Sequence, residues 1–345
     1  MGITFEEAAA AHHSGDFATA ERGYLAFPTS RNAVYNLATL YRHTGRLDEA
    51  VAAYRLIASQ YPDIASARRC LAVCLLALRE YAAAWPLYEA RREEAGAVVP
   101  AANFPEWAGE SLAGRRVVVV PEQGFGDQLM FARYLRELEA RGAEVVAACS
   151  PRHLARLFER CGFRTFPYWR AEQKLPAADY WAIGNSLPLK LGLEAPASPA
   201  YFPTSELARG GGVGIVATGN PDHYNDRNRS LGPRDAAALL ELGRDLSPAA
   251  TGALDFLDTA DIIAGLDLVV TVDTSVAHLA GSMGKPCWVL LPALGMDWRW
   301  NDGLRSDWYP AARLFRQAAA GDWASVIAAV RLALATERAR AEADA

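Results

Sequence analysis

Apolar residues in the first hundred positions fall at three- and four-residue steps, as in Asn36-Leu37-Ala38-Thr39-Leu40-Tyr41. That is the period of a helix burying one face. Within it a triplet recurs: an aromatic residue or Leu, Ala three later, Tyr four after that. The copies are Phe17/Ala20/Tyr24, Leu47/Ala50/Tyr54 and Tyr81/Ala84/Tyr88, with successive alanines 30 and 34 residues apart. Gly15 and Gly45 stand two residues ahead of Phe17 and Leu47, where a turn between helices needs a permissive backbone. Ala where helices cross and Tyr one turn later describe stacked helix pairs over residues 1–95. Gly96, Pro100, Asn103, Pro105 and Gly109 then break any helix, so residues 96–114 read as a linker.

After the linker the period changes. Val117 to Val120 is an unbroken β-branched run, the mark of a strand covered on both faces. A Gly-rich turn at 122–127 leads into an amphipathic helix from Gln128 to about Arg141. Strands are expected at Glu144–Cys149, Phe163–Pro167 and Asp179–Ile183, with a helix at Pro151–Arg160, giving a parallel α/β region over 115–193. A Pro- and Gly-rich stretch, 194–212, separates it from a second α/β region over 213–336. There the expected strands are Val213–Thr218, Leu268–Val272 and Cys287–Leu291, with helices near Ser275–Met283 and at Asp322–Leu334. The charged end, 337–345, is expected to fray. The fold class is α plus α/β: helical repeats followed by two Rossmann-like regions, which commonly hold a ligand at the carboxyl ends of their strands.

The helical repeats resemble the tetratricopeptide repeat, whose period is about 34 residues. Pro62 fits the helix-ending proline of that pattern, whereas the third copy has Leu78-Arg79 where the Gly belongs. Three helix pairs reach the minimum for a stable stack. Of 345 residues 51% are hydrophobic and 22% charged, which excludes a mainly disordered chain. No apolar run approaches the roughly 20 residues a membrane helix needs, and the N-terminus lacks the pattern of a secretion signal. A net charge of −5 argues against a general nucleic-acid or anionic-membrane binder. Five scattered cysteines without zinc spacing give the expectation of a reduced, cytoplasmic protein, with Cys70 and Cys74 as core residues.

Three stretches carry candidate chemistry. In Val272-Asp273-Thr274-Ser275-Val276-Ala277-His278 a buried strand gives way to a polar helix start. Free N–H groups there suit a phosphate or sugar hydroxyl, with His278 one turn in; simple N-capping by Asp273 or Thr274 is an equal alternative. The stretch from Thr218 to Ser230 holds two Arg, one His and three Asn with almost no aliphatic side chain, and it leaves a strand at its carboxyl end. Guanidinium forks match phosphate oxygens. In Gly124-Phe125-Gly126-Asp127-Gln128, Asp127 is an ionised carboxylate that serves equally well as a base or as an N-cap.

The segments Glu122–Tyr134, Gly219–Ser230 and Asp273–Gly281 resemble bacterial tetratricopeptide-repeat glycosyltransferases. Asp297-Trp298-Arg299-Trp300, Trp308-Tyr309-Pro310 and Arg313–Gln317 match as well. The catalytic part is similar to the heptosyltransferases and more distantly to O-GlcNAc transferases. The resemblance implies a two-lobed GT-B fold, a nucleoside-diphosphate (NDP) sugar as co-substrate, and inversion at the anomeric carbon. No metal or other cofactor is implied. It makes Asp127 the general base. Asp273, Thr274, Ser275 and His278 would hold the donor, with Asn220, Asn225, Arg227 and Arg229 near the diphosphate. Gln123, Phe125, His223, Trp298 and Trp300 would line the acceptor side or wall the cleft, while a buried structural role is at least as good a reading of Trp298 and Trp300. The repeats would recruit a protein or peptide acceptor. Residues 231–266 depart from the pattern, with no Lys and no clear apolar strand to grip the phosphates. A catalytically weak or inactive scaffold that binds protein partners is therefore the alternative.

Overall fold

The computed structural model describes residues 2–170, 172–193, 200–202, 211–300 and 303–343, and the chain divides into two compact units. One takes Met1–Ala97 with Ala293–Asp302; the other takes Val98–Pro292 with Gly303–Ala345. The stretch expected to separate the two α/β regions, 194–212, lies outside the described residues except for 200–202 and 211–212.

The first unit is built from α1 (Phe5–Ser14), α2 (Phe17–Leu25), α3 (Arg31–His43), α4 (Leu47–Gln60), α5 (Ala65–Ala77) and α6 (Tyr81–Tyr88). Each helix packs on the next. Ala20, Ala50 and Ala84 of the recurring triplet are completely buried, and Tyr24, Tyr54 and Tyr88 nearly so. Helix starts are fixed locally. Thr4 and Glu7 form a reciprocal capping box on α1, and the side chains of Asp16 and Ser30 accept from N–H groups in the first turns of α2 and α3. Gly15 and Gly45 turn the chain with φ of 87° and 78°. At the third turn Arg79 adopts φ 65°, the only positive φ of a non-glycine among the described residues. The missing Gly is thus answered by backbone strain and the turn is kept.

A segment from far along the chain completes this unit. The single-turn helix Trp298–Trp300 packs on α5, and the Trp298 ring lies 6.0 Å from Trp85 and 6.4 Å from Tyr88. The Gly295 N–H donates to the His43 carbonyl at 2.9 Å. Trp298 and Trp300 are 4% and 0% exposed. They belong to the core of the helical unit, the structural role that the sequence left open for them.

The second unit contains two parallel sheets. The first holds β1 (Arg116–Val120), β2 (Glu144–Cys149), β3 (Arg164–Pro167) and β4 (Tyr180–Ile183) in the order β3-β2-β1-β4. Its helices are α7 (Phe125–Phe131), α8 (Arg133–Ala140), α9 (Ala155–Arg160) and α10 (Leu187–Leu191). The single helix expected from Gln128 begins earlier and is split at Ala132, so Asp127 lies inside the first turn of α7. Residues 98–114 are not a free linker. Glu106 bridges to Trp181, the Trp107 N–H donates to the Trp181 carbonyl at 2.8 Å, and the Trp107 side chain is buried.

The second sheet holds β5 (Val213–Val216), β6 (Arg244–Asp245), β7 (Leu268–Val272), β8 (Cys287–Leu291) and β9 (Ala312–Arg316) in the order β6-β5-β7-β8-β9. Around it stand α11 (Asp226–Arg229), α12 (Pro233–Leu240), α13 (Pro248–Thr251), α14 (Phe256–Ala264), α15 (Ser275–Ser282) and α16 (Trp323–Ala343). Trp323, Val326, Ile327 and Val330 of α16 share one buried cluster with Val270, Val272 and Leu290. Their three- and four-residue spacing gives a stripe whose large side chains contribute roughly 1.5–3 kcal/mol each. The end expected to fray from 337 is helical through Ala343.

Candidate functional site

The two stretches singled out at strand ends meet in the second unit. Helix α7, which follows β1, packs against α15, which follows β7. At the crossing a Cβ added to Gly126 would stand 2.8 Å from His278 Cδ2 and 3.4 Å from Nε2. Asp127 is the next residue. A glycine is needed here because a neighbour occupies the space where a side chain would project.

His278 is 6% exposed. Its Nδ1 lies 2.9 Å from the hydroxyl of Tyr309, whose ring is 5.7 Å away. Tyr309 in turn lies against Gly281, where a Cβ would overlap its ring. The imidazole is thus held between α7 and a buried tyrosine, with Nε2 on the Gly126 side. Thr274 is the N-cap of α15: its hydroxyl accepts from the Val276 N–H at 3.3 Å and lies 3.2 Å from Thr271 Oγ1. Capping, left open from the sequence, describes this side chain. Asp273 and Ser275 are half-buried beside it.

The Thr218–Ser230 stretch is fastened to this corner through Arg229. The buried guanidinium donates from Nη1 to the Asp273 carbonyl at 2.8 Å and from Nε to Asp226 at 3.1 Å. Gly219 accommodates it, since a Cβ there would stand 2.7 Å from Nη2. The Ser230 hydroxyl donates to the same Asp226 oxygen and accepts the Gly219 N–H, both at 2.8 Å. Arg229 therefore fastens the loop in place, while Arg227, Asn220 and Tyr224 are exposed on it. Asn225 is buried and accepts from Asn228 at 2.6 Å; its N–H donates to His223 Nδ1 at 3.2 Å. The His223 and Tyr224 rings are 4.5 Å apart.

Of the residues expected on the acceptor side, Gln123 is exposed and its carbonyl accepts from Gln128 Nε2 at 3.3 Å. Phe125 lies 4.7 Å from the His153 ring and 5.5 Å from Phe256. Beside that aromatic group α9 meets α14 through Arg156 with Asp255 and Asp258, and Arg160 with Asp261. Residues 231–266 do contain a strand, but β6 is only two residues long. Lys285 is a structural residue: its ammonium donates to the Ala264 carbonyl at 2.8 Å, and burial lowers its pKa from the ordinary lysine value.

Two residues without an assigned role support the site. Tyr309 is one. Arg133, buried on α8, donates to the Met130 and Trp308 carbonyls at 3.0 Å each, and its guanidinium lies over Tyr201, Trp308 and Tyr309 at 5.0–5.2 Å. Desolvation opposes its charge, and the hydroxyls of Tyr201, Tyr309 and Tyr134 more than offset this. Its signal was its place within the Glu122–Tyr134 motif.

No family model matches the chain. Protein FlbA of Caulobacter vibrioides is 29% identical over 335 aligned positions, covering 79% of this chain and 55% of that protein. The chain thus spans about half the length of that curated relative. Among solved structures, a mutant O-GlcNAc transferase of Thermobaculum terrenum is similar at 15% identity, with a TM-score of 0.22 over 92% of this chain and 57% of that one.

Proposed function

We propose that the chain is an inverting, metal-independent glycosyltransferase of the two-lobed GT-B type. It moves a sugar from an NDP-sugar to a hydroxyl of a protein or peptide held by the tetratricopeptide-like helices. The observation that carries this reading is the packing of α7 on α15 at Gly126 and His278, which brings the Asp127 turn to the helix start of Asp273–His278.

In this reaction the Asp127 carboxylate takes the proton of the acceptor hydroxyl. The oxygen forms a bond to the anomeric carbon as the bond to the diphosphate breaks on the opposite face, and the electron pair leaves with the diphosphate. Negative charge grows there, where N–H groups opening α15 and the exposed guanidinium of Arg227 stabilise it. His278, paired with the Tyr309 hydroxyl through Nδ1, turns Nε2 toward the donor. Arg229 acts indirectly, by holding the loop that carries Arg227.

The test is Asp127→Asn. The variant should bind donor as the parent does in calorimetry with a panel of NDP-sugars, while transfer falls about 10²–10⁴-fold. Turnover in the parent should persist in EDTA. Full turnover by the variant would remove the assigned base. Absence of heat with every nucleoside diphosphate would remove the reading altogether.

A further inference from the structure

A small cavity opens at the carboxyl ends of β1 and β4, beside α7. Its volume is about 30 Å³, and its walls include Val120, Phe131, Ala148 and Phe158. Two polar residues complete the lining, Gln128 and Asn185. Asn185, which follows β4, is 3% exposed. Its Nδ2 is buried and has no hydrogen-bond partner among the described residues; the same holds for Gln128 Oε1. The Gln128 amide cannot simply be turned over, because its Nε2 already donates to the Gln123 carbonyl. One small space therefore carries one unmet acceptor and one unmet donor.

These constraints select the ligand. An apolar group would leave both amide atoms unsatisfied, which is costly in a buried setting. A charged group would lose its hydration, and among the described residues no ionisable side chain lines the cavity to compensate it. The space matches about one water-sized group and is too small for a ring. A hydroxyl, an alcohol's or water's own, meets every condition, since one oxygen can both donate to an amide oxygen and accept from an amide N–H.

We propose that this cavity is a hydroxyl-reading subsite, with Gln128 and Asn185 as its specificity-determining residues. Gln128 directly follows Asp127 in α7, so the group read is a second, non-reacting hydroxyl of the acceptor. Only this last step, whose hydroxyl it is, rests on the glycosyl-transfer reading.

The probe is methanol, titrated into the isotopically labelled full chain while the side-chain amide resonances of Asn185 and Gln128 are followed. The expected result is a saturable shift with methanol and none with formate or methylammonium at equal concentration. Asn185→Leu should weaken methanol binding about fivefold or more, the loss of one hydrogen bond. Its melting temperature should be unchanged or higher, because the orphan donor is gone. Gln128→Leu provides the same test from the other side should the first variant fold poorly. A shift that grows linearly without saturation, as for exposed amides, would overturn the subsite. So would equal binding by parent and variants, or an Asn185 amide that contacts only a resident water. The titration uses no donor and no turnover. Failure of the subsite therefore leaves the Asp127→Asn result standing, and an inactive chain would still show the methanol response.

Discussion

Gly126 and His278, 152 positions apart in the chain, approach so closely that a single added methyl on the glycine would press into the imidazole. Gly126→Ala should therefore force α7 off α15. The expected cost is roughly 1–3 kcal/mol of stability, typical of overpacking, together with a fall in transfer rate. Denaturant titration and a pH titration of the His278 ring protons check this. An unchanged midpoint and unchanged ring environment would show that the two helices are not held in contact at this point.

The two arginines of the Thr218–Ser230 stretch should separate by experiment. Arg229→Met removes the partner of the half-buried Asp226 and the bond to the Asp273 carbonyl, and is expected to destabilise the second unit by about 3–5 kcal/mol. Arg227→Met should leave the melting temperature within about 1 °C, since substitutions of exposed residues without special contacts are nearly neutral. Its effect should fall on calorimetric affinity for the nucleoside diphosphate. Equal losses of stability in the two variants would contradict the division of labour.

Arg79 is the one side-chain-bearing residue described in a left-handed turn. Arg79→Gly should stabilise the helical unit by about 1 kcal/mol, as relief of the backbone strain exceeds the flexibility that glycine adds to the unfolded chain. Thermal unfolding followed by helical circular dichroism would show it. A lower midpoint would mean that the contacts of the Arg79 side chain outweigh its strain.

Burial, and secondarily the charge of His13, hold the His12 imidazole below its ordinary value of 6.5. The unfolded chain thus takes up this proton at a higher pH than the folded one, so stability rises with pH across the interval between the two values. The contribution is complete above pH 6.5 and is lost as pH falls below it. His12→Gln should flatten that slope in unfolding curves between pH 7 and 5. An undiminished slope would assign it to other groups.

Much of the fold was legible because its signals are local. The Ala and Tyr of each triplet mark helix crossings within one pair, and the valines of β1 announce a strand covered on both sides. Strand β6 escaped notice because two polar residues at a sheet edge need no apolar run. Strand β9, at the opposite edge, sets two arginines among three apolar residues without a regular alternation, so it reads as a motif and not as a strand. The candidate site was legible as three separate stretches but not as a meeting place, since nothing in the sequence ties residue 126 to residue 278. Arg133 carries no signal of its own within the Glu122–Tyr134 segment, and only the aromatic rings around it disclose its burial. Spacing along the chain does not reveal that the segment carrying Trp298 and Trp300 leaves one unit for ten residues before rejoining it.

That excursion bears on how the protein comes into being. Ribosomes release Trp85 and Tyr88 roughly two hundred residues before Trp298, the ring that covers them. During synthesis the nascent N-terminal stack must wait with aromatic surface uncovered until the downstream turn emerges. A fragment ending at residue 97 would keep that surface uncovered permanently, and the helical unit is finished only once residues 293–302 have been made.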